Sequence, residues 1–149
     1  MSAAKVAIVG AAETTELGRI PQTSQIQLHA DAALNALADA GLTIKDIDGV
    51  ATAGESPTAV AHYLGIAPNW VDGTAVGGCS FMLHVRHAVA AIESGLCKCV
   101  LITHGESGRS NVGRAGWASA PGSLAGQFES PFGGMGPTTM FTLPVLRFL

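Results

Sequence analysis

Apolar residues run along this chain in short blocks separated by glycine, proline and polar punctuation, and the period of each block predicts an element. Residues 5–9, Lys5-Val6-Ala7-Ile8-Val9, are apolar after the lysine, are closed by Gly10 and read as a buried strand. Residues 11–23 are a polar loop with Gly18 and Pro21. Thr23 or Ser24 then caps a helix to about Ala40, in which Ile26, Ala30, Ala33 and Leu37 recur at helical spacing. Gly41 is its natural stop. Residues 44–48 connect to a second strand at 49–53. Pro57 suits the first turn of a short helix that runs to Leu64 and ends at Gly65. Pro68 precedes a third strand, 70–73, and a fourth covers 98–104. Between the last two lies a long apolar run, 81–92, which reads as a helix buried nearly all round. Strands alternating with helices predict an α/β fold, a mainly parallel sheet covered by helices.

The turn before that central helix, Asp72-Gly73-Thr74-Ala75-Val76-Gly77-Gly78-Cys79-Ser80-Phe81, is where chemistry is expected. Glycine allows a tight strand-to-helix turn. A helix N-terminus carries partial positive charge and favours a thiolate. Cys79 is therefore either an activated nucleophile or a small packing residue. Along the helix, Phe81, Val85, Ala88 and Ile92 form an apolar stripe, and Ser80, His84 and His87 form one narrow polar line. Those histidines either touch a ligand or are hydrogen-bonded at an interface. The second reading is favoured, because no nearby carboxylate or third histidine completes a metal set. Cys97-Lys98-Cys99 has no second cysteine pair, so packing explains it better than zinc does. No metal site is expected.

After Gly105 the periodicity is lost. Residues 106–110 are a polar loop, and 111–137 are rich in Gly, Ala, Ser and Pro. A loop this long, 105–137, is usually functional or disordered. Phe128, Pro131, Phe132 and Met135 suit packing on another subunit or a ligand. Apolar patterning resumes from Thr138 to Leu149 without a closing cap, as if the chain were cut inside a helix.

Composition narrows the class. The 149 residues allow one domain at most. Only 13% are charged against 48% hydrophobic, so an interface or a further portion of the protein is expected to cover apolar surface. A net charge of -3 with no basic cluster gives no nucleic-acid signal. The apolar runs are too short for a membrane span. The N-terminus lacks the pattern of a signal peptide, and three cysteines, an odd number, fit reduced thiols; a cytoplasmic location is expected. Gly10-Ala11-Ala12 is not a dinucleotide fingerprint.

Val6-Ala7-Ile8-Val9-Gly10, Asp39-Ala40-Gly41-Leu42, Asp46-Ile47-Asp48-Gly49-Val50 and Tyr63-Leu64-Gly65-Ile66 occur in that order, followed by Ala91-Ile92-Glu93-Ser94-Gly95, Glu106-Ser107 and Phe128-Glu129-Ser130-Pro131-Phe132-Gly133. In order and spacing these segments resemble the thiolase superfamily, specifically its sterol-carrier-type and lipid-transfer branch. The resemblance implies the N-terminal half of a two-half, five-layer fold with a buried nucleophile-type helix. It implies a coenzyme A thioester as substrate, with no bound cofactor. It makes Cys79 the candidate nucleophile and Gly77, Gly78 and Ser80 candidate substrate contacts. It also implies a homodimer through the strand near 70–76. The pattern departs at one point: aligned without a gap on Ala91-Ile92 and Gly95, Gly78 takes the nucleophile's place and Cys79 follows it. One helical residue is about 100° of rotation.

Three functions are open on these grounds. The first is acyl transfer from acyl-CoA, of the acetyl-CoA acetyltransferase type, through Cys79. The second is retro-aldol cleavage of a CoA-linked β-hydroxy thioester, with catalytic residues beyond Leu149 and a small OB-fold, zinc-ribbon companion protein, as in the lipid-transfer branch. The third is a non-catalytic acyl-CoA-binding or assembly subunit.

Overall fold

The computed structural model describes residues 6–113, 120–134 and 136–149. They fall into two compact units, residues 1–114 and 115–149. The first is a three-stranded parallel sheet with helices. Ser24 caps helix α1 (Gln25–Ala40) through a reciprocal box: its side chain accepts the Gln27 N–H and the Gln27 side chain accepts the Ser24 N–H. Gly41 stops the helix in the left-handed region at φ 68°. Strand β1 (Gly49–Thr52), helix α2 (Pro57–Leu64) with Pro57 in its first turn, strand β2 (Trp70–Asp72), helix α3 (Ser80–Glu93) and strand β3 (Val100–Thr103) follow.

The strand order is β2-β1-β3, all parallel, with Gly49 opposite both Trp70 and Val100. The chain moves one way across the sheet from β1 to β2 and back past β1 to reach β3. With right-handed crossovers, α2 and α3 then lie on opposite faces. The core agrees: Ala33, Leu37, Ile47, Val50, Val60, Ala61, Ile66 and Leu101 form one cluster, to which α3 contributes nothing. Central β1 is buried at every residue. Asp48 ties the crossover down, accepting the N–H groups of Lys98 and Cys99 at 2.8–3.0 Å. Burial pushes its pKa up, but those hydrogen bonds outweigh it and hold the carboxyl below the usual range.

Two expectations fail. The first strand, expected at 5–9, is absent among the described residues: Lys5 lies outside them, and 6–9 pair with no strand, with Ile8 77% and Val9 62% exposed. A strand needs a ladder, and these residues are set back from the edge of β3 across an apolar slot. Nor is α3 buried nearly all round. Its buried residues are Ser80, His84, Ala88 and Ala91, while Met82 is 76% and Val85 37% exposed. Ser80 and His84 of the polar line are buried beside Ala88 of the apolar stripe, because the turn before α3 folds back and hydrogen-bonds to them.

The second unit contains α4 (Leu124–Phe128), a helical turn at Ser130–Phe132, α5 (Pro137–Met140) and α6 (Thr142–Phe148). Ser123 caps α4 by accepting the Gly126 N–H at 3.0 Å. Phe128 and Phe132 are exposed, and Met135 lies outside the described residues. Among the described residues no helix is long and apolar enough to cross a membrane.

Candidate functional site

The turn joining β2 to α3 is held by three side chains. Asp72 Oδ1, at the end of β2, accepts the Thr74 N–H at 2.9 Å and the Thr74 hydroxyl at 2.6 Å. Its other oxygen accepts the His87 Nδ1–H at 2.6 Å. Burial acts to raise the Asp72 pKa, but the Thr74 hydroxyl, His87 and the Thr74 N–H together lower it. One turn of helix earlier, His84 is fully buried and its Nε2–H donates to the Thr74 carbonyl at 2.9 Å. That tautomer leaves Nδ1 as a buried acceptor without a partner. Ser80 closes the turn: its Oγ accepts the Val76 N–H at 2.9 Å and donates to the Gly77 carbonyl at 2.6 Å. The polar line of α3 thus holds the glycine turn in place.

Each expected site residue can now be placed. Cys79 is the N-cap of α3 and is exposed, with its thiol 3.6 Å from the Val76 carbonyl oxygen. It lines neither the slot beside residues 6–10 nor the groove beside β2. Gly77 is in the left-handed region at φ 86°, and nothing stands where a Cβ would go. Gly78 has ordinary φ and equally open surroundings. Ser80 is buried, and its N–H also donates to Gly77, so both its polar groups are committed within the turn. Cys97 is buried and Cys99 half-buried; burial, then the nearby Asp48 carboxylate, pushes both thiols up. Among the described residues no three His, Cys, Asp or Glu side chains group as metal ligands.

A second polar group lies outside everything the sequence singles out. At the carboxyl end of β3, His104 Nδ1–H donates to the Ala53 carbonyl at 3.1 Å. His29, on α1, is fully buried with Nδ1 2.8 Å from the Thr103 hydroxyl. Burial, then the neighbouring His104, pushes the His29 pKa down to about 4. Phe81 bridges this group to the turn, its ring centroid 4.9 Å from that of His104 and 5.9 Å from that of His84. The only sequence signal is a histidine on an otherwise apolar helical face, which does not say what it meets. Ligands of open parallel sheets bind at the carboxyl ends of the strands, and the turn and this histidine group both follow such ends.

The chain is 32% identical over 116 residues to the 17-hydroxy-3-oxo-4-pregnene-20-carboxyl-CoA lyase of Mycobacterium tuberculosis (strain ATCC 25618 / H37Rv). That match covers 75% of this chain and 30% of the lyase. Among solved structures, it matches an Ltp2-ChsH2(DUF35) aldolase with a TM-score of 0.78 and 29% identity, over 95% of this chain and 37% of the aldolase chain. It also matches thiolase-like OleA of Xanthomonas campestris, solved with bound lauric acid and lauroyl-CoA, with a TM-score of 0.52 over 58% of this chain and 28% of that one. At 21% identity the OleA likeness is one of fold alone. No protein-family model matches the chain. This small α/β chain therefore has thiolase-like fold neighbours and resembles a CoA-linked lyase and an aldolase more closely in sequence, spanning about a third of their length.

Proposed function

We propose that this chain is the N-terminal portion of a thiolase-like enzyme that cleaves a CoA-linked β-hydroxy thioester by a retro-aldol reaction. The observation that carries this reading is the pair of matches to a carboxyl-CoA lyase and an aldolase, the second over nearly the whole chain. Acyl transfer through Cys79 is the weaker reading, because the thiol stands exposed at the N-cap and faces neither groove. In the lyase reaction a base takes the β-hydroxyl proton and the Cα–Cβ bond breaks. A carbonyl compound leaves, the electron pair passes to the thioester as an enolate, and a proton returns to Cα. A nucleophilic cysteine is not needed.

In this reading the chain contributes a rigid turn. Gly77 and Gly78 leave open backbone for the approach of the thioester, and Ser80, His84 and Asp72 hold that backbone in place. The proton-transfer groups come from the rest of the polypeptide. The enzyme works as a homodimer paired near Trp70–Val76, with a companion of OB-fold, zinc-ribbon type; the Ltp2 aldolase is itself a complex with ChsH2(DUF35).

The test uses the protein from the complete reading frame, as wild type and as Cys79→Ala. A β-hydroxyacyl-CoA is expected to yield a carbonyl compound and a shortened acyl-CoA, with Cys79→Ala within about threefold of wild type. Stable radiolabelling by acyl-CoA that disappears in Cys79→Ala, without carbon–carbon cleavage, would establish the acyltransferase instead.

A further inference from the structure

The group around His29 has no part in the proposed reaction, and it is tightly built. His29, on α1, is fully buried with Nδ1 2.8 Å from the Thr103 hydroxyl, and its Nε2 is buried without a hydrogen-bond partner. One turn earlier on α1, the side-chain nitrogen of Gln25 is likewise buried and unmatched. Residues 104–113 press on both. A Cβ at Gly105 would lie 2.5 Å from His29 Cδ2 and 2.6 Å from the Gln25 carbonyl oxygen. A Cβ at Gly113, where φ is 65°, would lie 2.9 Å from Gln25 Cδ. The segment begins with His104, whose ring stands edge-on to that of His29 with centroids 6.2 Å apart.

His29 cannot become charged in this setting without cost. Its ring is sealed from water, and an imidazolium would carry a buried N–H that meets no acceptor. Two titratable groups act on it from neighbouring elements, in opposite directions. His104, at the end of β3, opposes a positive charge, and Glu55, after β1, favours one. Glu106 lies 3.3 Å from His104 Nε2. Burial outweighs both, so the enclosed ring takes a proton only at about pH 4.

The cover is lightly held. Residues 105–111 include no apolar side chain. Two hydroxyls tie them to the segment before α1: Ser107 Oγ donates to the Gly18 carbonyl at 2.9 Å, and Ser110 Oγ accepts the N–H of buried Ile20 at 2.7 Å. Strand β1, by contrast, is buried at every residue. Segments with few apolar contacts open at lower free energy than core strands.

We propose that residues 104–113 are a pH-operated latch, closed over a neutral His29 and swung away from α1 and Ile20 when that histidine takes up a proton. Opening gives the ring water and its ordinary pKa of 6.5, so acid favours the open form below that value and adds little more below about 4. It also draws His104 from Phe81, whose ring centroid is 4.9 Å away at the start of α3, three residues after Gly78. The latch therefore reaches the glycine turn. The inference stands apart from the proposed function, since no reaction step enters it.

Amide hydrogen exchange on the product of the complete reading frame tests it, with rates corrected for the intrinsic effect of pH. Protection of the Ile20 amide is expected to fall about twentyfold from pH 7 to pH 5, the change that pKa values of 4 and 6.5 impose on opening. It should be lower than that of Val50 at both pH values and indifferent to small additions of urea, which lower the protection of Val50. Gly105→Ala, which wedges the latch off the ring, should leave Ile20 weakly protected at pH 7 and pH 5 alike. His29→Gln should flatten the pH change. Ile20 protection that is the same at pH 7 and pH 5 overturns the proposal, as does a urea dependence at Ile20 equal to that at Val50, which would mean global unfolding. A full pH change in His29→Gln, or wild-type protection in Gly105→Ala, overturns it too. The wild-type profile decides the matter by itself should either variant fail to fold.

Discussion

Cys79 and His29 show how little a residue's type says without its surroundings. Cys79 has the sequence context of a nucleophile yet stands exposed at the N-cap of α3, while Cys97 is buried and Cys99 half-buried, with thiols pushed up by burial. Thiolates, not thiols, react. At pH 8 a colourimetric disulfide reagent is therefore expected to modify one thiol of three rapidly, and Cys79→Ala to remove that fast phase. Since the side chain is exposed, the same substitution should change stability by less than about 0.5 kcal/mol in urea titrations. His29 predicts the response to acid. Its folded pKa of about 4 lies below the ordinary 6.5, so between those values the unfolded chain binds a proton that the folded chain does not. Stability is then full above pH 6.5 and falls as pH drops to about 4, by up to about 3 kcal/mol at roughly 1.4 kcal/mol per unit. Asp48 and Asp72, held below the usual carboxylate range, titrate beneath this window. Urea unfolding from pH 7 to 4 should show the slope in wild type and a flatter line in His29→Gln. Neither residue's fate is legible in sequence, because both depend on what long-range packing places beside them.

At the scale of elements the sequence is most readable where local chemistry decides. The Ser24 cap, the Gly41 stop, Pro57 in the first turn of α2 and the three paired strands all appear where their capping and apolar patterns put them. Ser24→Ala is expected to cost about 1 kcal/mol, read as a lowered urea midpoint, through loss of the reciprocal cap. The central helix is readable in extent but not in orientation. Its apolar stripe suggests the inner face, yet of that stripe Ala88 alone is fully buried, Ser80 and His84 of the polar line are buried with it, and Val85 is left on the open side. Periodicity reports that two faces differ; which one is buried depends on where the chain goes next. The glycine turn separates two roles that look alike in sequence. Gly77 sits at φ 86°, so Gly77→Ala should cost about 1 kcal/mol, whereas Gly78→Ala, at ordinary φ in open space, should cost little. Thermal melts of the two variants check the contrast.

On the scale of the whole molecule, the sheet has two free edges of different character. The edge of β3 lies in a slot closed by helices on both faces and by residues 6–10 at its far side. The edge of β2 is open: Val71 is exposed, and beyond it a shallow groove runs past Trp70, Asp72, His87, Ser94 and Leu96. The second suits a flat, self-complementary pairing of like edges across a two-fold axis. The parallel sheet is legible from alternation alone, but its incompleteness is not: residues 6–9 have the composition of a central strand and lack a neighbour to pair with. The low charge content foretells buried surface without saying where. Exposed edges invite pairing unless charge or shape prevents it. The proposed homodimer through β2 makes a direct prediction for the protein from the complete reading frame. It should sediment as a dimer at micromolar concentration. Val71→Lys places an ammonium on the pairing edge and should weaken dimerisation by about thirtyfold, corresponding to about 2 kcal/mol. Leu124→Lys, also exposed but in the second unit, serves as the control for added charge. A wild type that remains monomeric, or equal weakening by both variants, would remove β2 as the interface and leave the groove beside His87 to be explained another way.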